Sequence, residues 1–167
     1  MNTTQVIAAV AIGAGATLLI DLWALLLRRA FAIASLNYCL LGRWLLYMPA
    51  GRLVHERIAD ASAKQYECPA GWTAHYLIGV TFGVLFVLFA PAGWLARPTL
   101  LPAVVFGIVT VLVPFFTIQP ALGLGIASSK TRHPSRARLK SVMTHTVFGL
   151  GLWLAAWGIA STGMLEL

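Results

Sequence analysis

A chain of 167 residues with 59% hydrophobic and only 10% charged side chains is not a water-soluble domain, in which about 25% of residues carry charge. Its mean hydropathy of +0.83 places it among integral membrane proteins, with room for one compact helical bundle and no separate soluble domain. The net charge of +7 does not mark a nucleic-acid binder, because the basic residues fall where membrane topology requires them and no folded basic platform accompanies them.

The sequence predicts an all-α, polytopic membrane protein. Four transmembrane helices form its bundle, with an interfacial helix between spans one and two. Span one covers about residues 4–27. Its apolar run of about 20 residues ends in Arg28-Arg29 with no small-residue cleavage site, so it is expected to stay as a span and not to be removed as a signal peptide. Gly13, Thr17 and Asp21 recur every four residues and share one helical face, which should point into the bundle. Asp21 is the outlier, because a carboxylate inside an apolar run is costly unless something pairs with it. At about 1.5 Å per residue, the climb from Thr4 to Asp21 is about 25 Å, near the far side of the bilayer.

Residues 28–70 form the first connector. The stretch from Phe31 to Tyr47 is apolar and aromatic but interrupted by Asn37, Gly42 and Arg43, which suits an interfacial helix or re-entrant piece. The polar stretch that follows is expected to be solvated, with one short helix from Arg52 to Lys64 and Pro49 and Pro69 as punctuation. Cys39 and Cys68 fall in this connector. On a cytoplasmic face they are expected to be reduced thiols with no disulfide between them.

Span two covers about residues 71–89 and opens on His75, followed at four-residue intervals by Gly79 and Gly83, a stripe that lets a neighbouring backbone approach. Trp94 and Arg97 suit an interface turn between Pro91 and Pro98. Span three covers about 99–122 and is broken by Pro114 and Pro120, with Gln119 among backbone carbonyls freed by the prolines. The segment 123–141 is a basic loop. Its Gly123-Leu124-Gly125 resembles a phosphate cradle only faintly, since it follows no strand and lacks the phosphate-loop lysine position, and helix packing or a hinge explains it as well. Span four covers about 142–163 and opens on Thr144-His145, with Gly149 four residues later.

Six Lys or Arg residues lie in 28–70, five in 123–141 and only Arg97 in the second loop. The positive-inside tendency therefore puts loops 28–70 and 123–141 in the cytoplasm and both termini outside. Asp21, His75, Gln119 and His145 then come from four spans and lie near one face, so a common polar layer is expected. A ligand-binding set of Asp21, Asn37, His75, Gln119 and His145 follows, with Arg28, Arg43 and Arg138 at its mouth attracting an anion. Asp21, His75 and His145 also have the donor chemistry of a Zn²⁺ or Fe²⁺ site. Bis-histidine haem ligation by His75 and His145 ranks well below hydrogen bonding between helices.

Each residue also has a plainer role. Asp21 would pair with Arg28 or Arg29 at the interface. His75 and His145 would join helices by hydrogen bonds, and Gln119 would cap freed backbone. His55 and His133 are expected to be ordinary exposed histidines. The basic loops would attract anionic lipid headgroups without any specific ligand.

The segments DLWALLLRRAF, SLNYCLLGRWL, GWTAHYLIGVTF, RPTLLPA, QPALGLGIASSKT and LKSVMTHTVFGLGLWL together resemble a bacterial family of small multi-span membrane proteins catalogued as domain of unknown function 2938. The resemblance extends from span one to span four. It implies a bacterial cytoplasmic-membrane protein and brings no catalytic residue with it.

Three readings of function follow. The first is binding, with or without transport, of a small polar or anionic ligand or a lipid headgroup at the cytoplasmic side. Four spans are few for a transporter, so a homodimer is then expected. The second is a membrane-embedded enzyme that uses a metal or the His/Asp set on a lipid-like substrate. The third is a structural or accessory subunit in which the polar layer only locks helix register.

Overall fold

The computed structural model describes residues 1–163. Over these residues the fold is all-helical. In chain order it contains α1 (Thr3–Phe31), α2 (Tyr38–Tyr47), α3 (Glu67–Phe89), α4 (Leu100–Thr110), a π-helical turn (Pro114–Ile118), the short α5 (Gln119–Ala121) and α6 (Pro134–Ala160). Four segments are long and apolar enough to cross a membrane: Thr3–Phe31, Glu67–Phe89, Leu100–Ala121 and Pro134–Ala160. They coincide with the four predicted spans, and α2 forms between the first two.

The helix boundaries depart from expectation mainly at prolines. Pro69 lies in the first turn of α3 and Pro134 opens α6, positions whose N–H groups have no intrahelical partner to lose. Helix α3 therefore begins before residue 71 and places His75 two turns inside. Helix α6 begins before residue 142 and places His145 three turns inside, so the second basic loop is shorter than 123–141. The helix expected from Arg52 to Lys64 is only a 3-10 turn, Ile58–Asp60.

The chain divides into two compact units. Among the described residues the first comprises 1–34, 76–110 and 143–163, and so holds α1, most of α3, α4 and most of α6. Small residues bring these helices together. A Cβ on Gly13 would lie 2.6 Å from the Gly79 carbonyl oxygen, and one on Gly149 2.6 Å from the Ala103 carbonyl oxygen. Likewise, a Cβ on Gly151 would lie 2.7 Å from the Ala16 Cα. Ile12, Ile20, Phe86, Phe148 and Leu152 fill the core around these contacts. On α1, Gly13 and Thr17 are buried, whereas Leu18, Leu22 and Leu26 are 52%, 53% and 51% exposed. The face bearing Gly13 and Thr17 is therefore the inner one, and the leucines are left for lipid.

The second unit comprises residues 35–75 and 111–142. Its core is Tyr47, Ile58 and Leu122, with Leu40, Trp44 and Ile118 packed against them. The Gln119 N–H bonds to the Pro114 carbonyl, five residues back. Pro114 and Pro120 each remove a donor from the helical ladder, and the turn between them relaxes to the wider π spacing. Segment 55–58 docks on the end of α5, with His55 N–H donating to the Ala121 carbonyl (2.9 Å) and Ile58 N–H to the Leu122 carbonyl (3.1 Å). Gly123, at φ +87°, lies against the Glu56 and His55 carbonyls, where a side chain would collide with backbone. Gly123 is thus required at this close approach of two backbone segments.

Candidate functional site: polar nodes within the two units

In the first unit, the Tyr76 hydroxyl donates to the Asp21 carboxylate at 2.9 Å. Helices α1 and α3 run antiparallel, with Gly13 near Gly83 and Thr17 near Gly79. One turn further on, the same register brings Tyr76 opposite Asp21. On α6, His145 Nδ1 lies 2.8 Å from Thr110 Oγ1, whose own proton goes to the Gly107 carbonyl at 2.6 Å. A Thr110 hydroxyl that donates to Gly107 would accept a hydrogen bond from the Nδ1–H of His145, so the two side chains join α4 to α6 by one hydrogen bond. Ala16 on α1 packs on Gly151 of α6, so antiparallel counting from that contact sets His145 at the level of Asp21.

In the second unit, Gln119 is 9% exposed. Its Oε1 accepts from the Ser128 hydroxyl at 2.9 Å and its Nε2 donates to the Ser141 hydroxyl at 3.4 Å. Ser128 is buried and holds a positive φ of 58°, a conformation seldom adopted by a residue with a side chain. This node is neutral and ties α5, the 126–128 turn and the start of α6 together. His75 packs face to face on Tyr38, with ring centroids 4.0 Å apart, and Trp72 meets both rings edge-on.

The expected ligand-binding set is therefore distributed among different tasks. Asn37 caps α2, its Oδ1 accepting from the Cys39 N–H at 3.0 Å. Arg43 does not stand free at a pocket mouth. It grips Glu67 through two bonds of 2.8 Å and donates to the carbonyls of Ile58, Ala59 and Ala61. The side-chain hydrogen bond to Glu67 raises the guanidinium pKa above its ordinary value, though burial opposes it. Arg138 Nε donates to the Ala127 carbonyl at 2.8 Å, while Arg28 is exposed in the last turn of α1. Among the described residues, no three His, Cys, Asp or Glu side chains gather as a metal ion would need. Asp21, His75 and His145 thus do not supply the expected metal centre.

Two further expectations are corrected. Cys39 and Cys68 form a disulfide, because α2 and α3 cross at their N-terminal ends. His55 is not an ordinary exposed histidine: both its ring nitrogens are buried and lack a hydrogen-bond partner, and its ring meets Tyr47 edge-on at 5.1 Å. Sequence reasoning also missed Tyr76, Thr110, Ser128 and Ser141. Tyr76 was accessible to it in principle, since aligning the stripe of Gly13 and Thr17 antiparallel to that of Gly79 and Gly83 sets Asp21 opposite residues 75 and 76. A cleft of about 270 Å³ lies at the other end of the first unit, between the start of α1 and the turn after α3.

The family described as "Protein of unknown function (DUF2938)" matches residues 10–159. No curated protein and no solved structure matches the chain.

Proposed function

The chain belongs to this family of unknown function, and from that premise we propose that it is a bacterial inner-membrane protein that binds anionic, phosphate-bearing lipid headgroups at the cytoplasmic face through its second unit. The charge distribution carries the reading. Residues 35–75 and 111–142 contain nine Lys or Arg and three acids, and two of those acids, Glu67 and Asp60, are engaged by Arg43 and Arg57. Arg52, Lys64, Lys130, Arg132, Arg136 and Arg138 are exposed. Each cation near an anionic surface contributes about 1 kcal/mol of attraction. The same asymmetry supports an orientation with both termini outside.

A transport form of this reading has one observation in its favour. The Leu100–Ala121 segment is interrupted by the π-helical turn at Pro114–Ile118, and interrupted helices are what membrane proteins use to present backbone to a translocated group.

The test is binding of the detergent-purified chain to vesicles of phosphatidylglycerol or of phosphatidylcholine. Binding should favour phosphatidylglycerol and weaken with salt. Replacing Lys130, Arg132 and Arg136 by Gln should reduce it by about 3 kcal/mol, roughly a hundredfold, from the per-cation attraction. Equal binding to the two lipids, or no effect of the triple change, would refute the proposal.

A further inference from the structure

The Cys39–Cys68 disulfide closes a junction that the surrounding residues already hold shut. A Cβ on Gly42 would fall 2.5 Å from the Gly71 nitrogen, and one on Gly71 2.6 Å from the Tyr38 carbonyl carbon, so α2 and α3 meet backbone to backbone. One residue along from that crossing, Arg43 holds Glu67 with two parallel bonds. One helical turn along α3, His75 stacks on Tyr38. Each cysteine is the second residue of its helix. Cys68 is exposed and Cys39 is half-buried. A purely structural disulfide restrains parts that would otherwise separate. This one joins two helices that a glycine crossing, an ion pair and a ring stack keep together, so opening it leaves two thiols facing each other in place.

We propose that Cys39 and Cys68 are a redox-active pair that exchanges electrons with dithiol reductants of the cytoplasm. The proposal rests on the orientation argued above, since disulfides exposed to the cytoplasm are characteristically transient, serving catalysis or sensing. A thiolate of the reductant attacks the exposed Cys68 Sγ. The S–S bond to Cys39 breaks, its electron pair leaves on Cys39 Sγ, and that sulfur takes up a proton. The second thiol of the reductant, after losing its proton, attacks the reductant sulfur of the mixed disulfide and releases Cys68, which is protonated in turn. The pair thus gains two electrons and two protons while the dithiol becomes a disulfide.

The experiment uses the full chain in two arms. In detergent, the protein is equilibrated with graded glutathione redox buffers, quenched with acid and mass-tagged with a maleimide. The expected result is a joint two-electron titration within the range of cytoplasmic thiol buffers. Cys39→Ser, which leaves the exposed Cys68, should collect a glutathione adduct faster than Cys68→Ser. The Cys39→Ser/Cys68→Ser protein should keep its helicity and most of its thermal stability. A pair that stays oxidised until the protein unfolds, or a double variant that does not fold, would establish a structural disulfide and overturn the proposal. In the second arm, cells are treated with a membrane-impermeant maleimide after reduction. Labelling of Cys68 only after lysis is expected. Labelling in intact cells would overturn the orientation, and the redox proposal with it. Protection in intact cells combined with no titration would overturn the redox proposal alone.

Discussion

The Tyr76 hydroxyl donates a hydrogen bond to the Asp21 carboxylate across the α1–α3 contact, at 2.9 Å. The carboxylate in the first span thereby gains a donor from its neighbouring helix. Tyr76→Phe removes that donor while keeping the ring. Hydrogen bonds to charged groups contribute about 1.5–3 kcal/mol, and Tyr76→Phe should lower the unfolding midpoint in detergent accordingly. Asp21→Asn keeps an acceptor oxygen in place and should cost less. A Tyr76→Phe protein as stable as the parent would show that the bond contributes nothing.

The glycine crossing of α2 on α3 makes a sharper prediction. Gly42→Ala and Gly71→Ala each place a methyl group against backbone atoms of the partner helix, which cannot yield as a side-chain tip would. Both should sharply reduce the yield of monodisperse protein in size-exclusion chromatography. Gly158→Ala is the matched control, because its Cβ meets nothing within 4 Å. Within a helix that change should be neutral or stabilising by up to about 1 kcal/mol.

Arg43 makes both a bidentate bond to Glu67 and bonds to carbonyls of the 58–61 turn. Lysine keeps the charge but not the planar fork. Arg43→Lys should therefore destabilise the protein by about 1–3 kcal/mol, the range for charge-assisted hydrogen bonds, as read from thermal unfolding. Full stability in the lysine variant would mean that charge alone matters at this junction.

His55 should behave in the opposite way. Its ring nitrogens are buried without partners, and such groups carry a desolvation cost of about 1–3 kcal/mol. His55→Phe keeps a ring against Tyr47 and removes that cost, so the unfolding midpoint should rise in lipid-free detergent. A fall would show that the imidazole makes interactions in solution that offset its burial.

The four spans, the α2 helix and the inner face of α1 were legible from sequence because they depend on local quantities. A run of apolar residues long enough to cross a bilayer is the same run whatever it packs against. The recurrence of Gly13, Thr17 and Asp21 every four residues specifies a face without reference to any neighbour. Proline misled at Pro69 because its effect depends on whether it falls in the first turn of a helix or after the last.

What the chain determined by itself was its class, its spans and which positions would be polar among apolar ones. Only the tertiary structure decided the partners: Tyr76 for Asp21, Thr110 for His145, Ser128 and Ser141 for Gln119, and Cys68 for Cys39. These pairings join residues 9 to 55 positions apart. A hydrogen bond or disulfide forms only within a few ångströms, so each is set by helix register and crossing, which hydropathy does not encode.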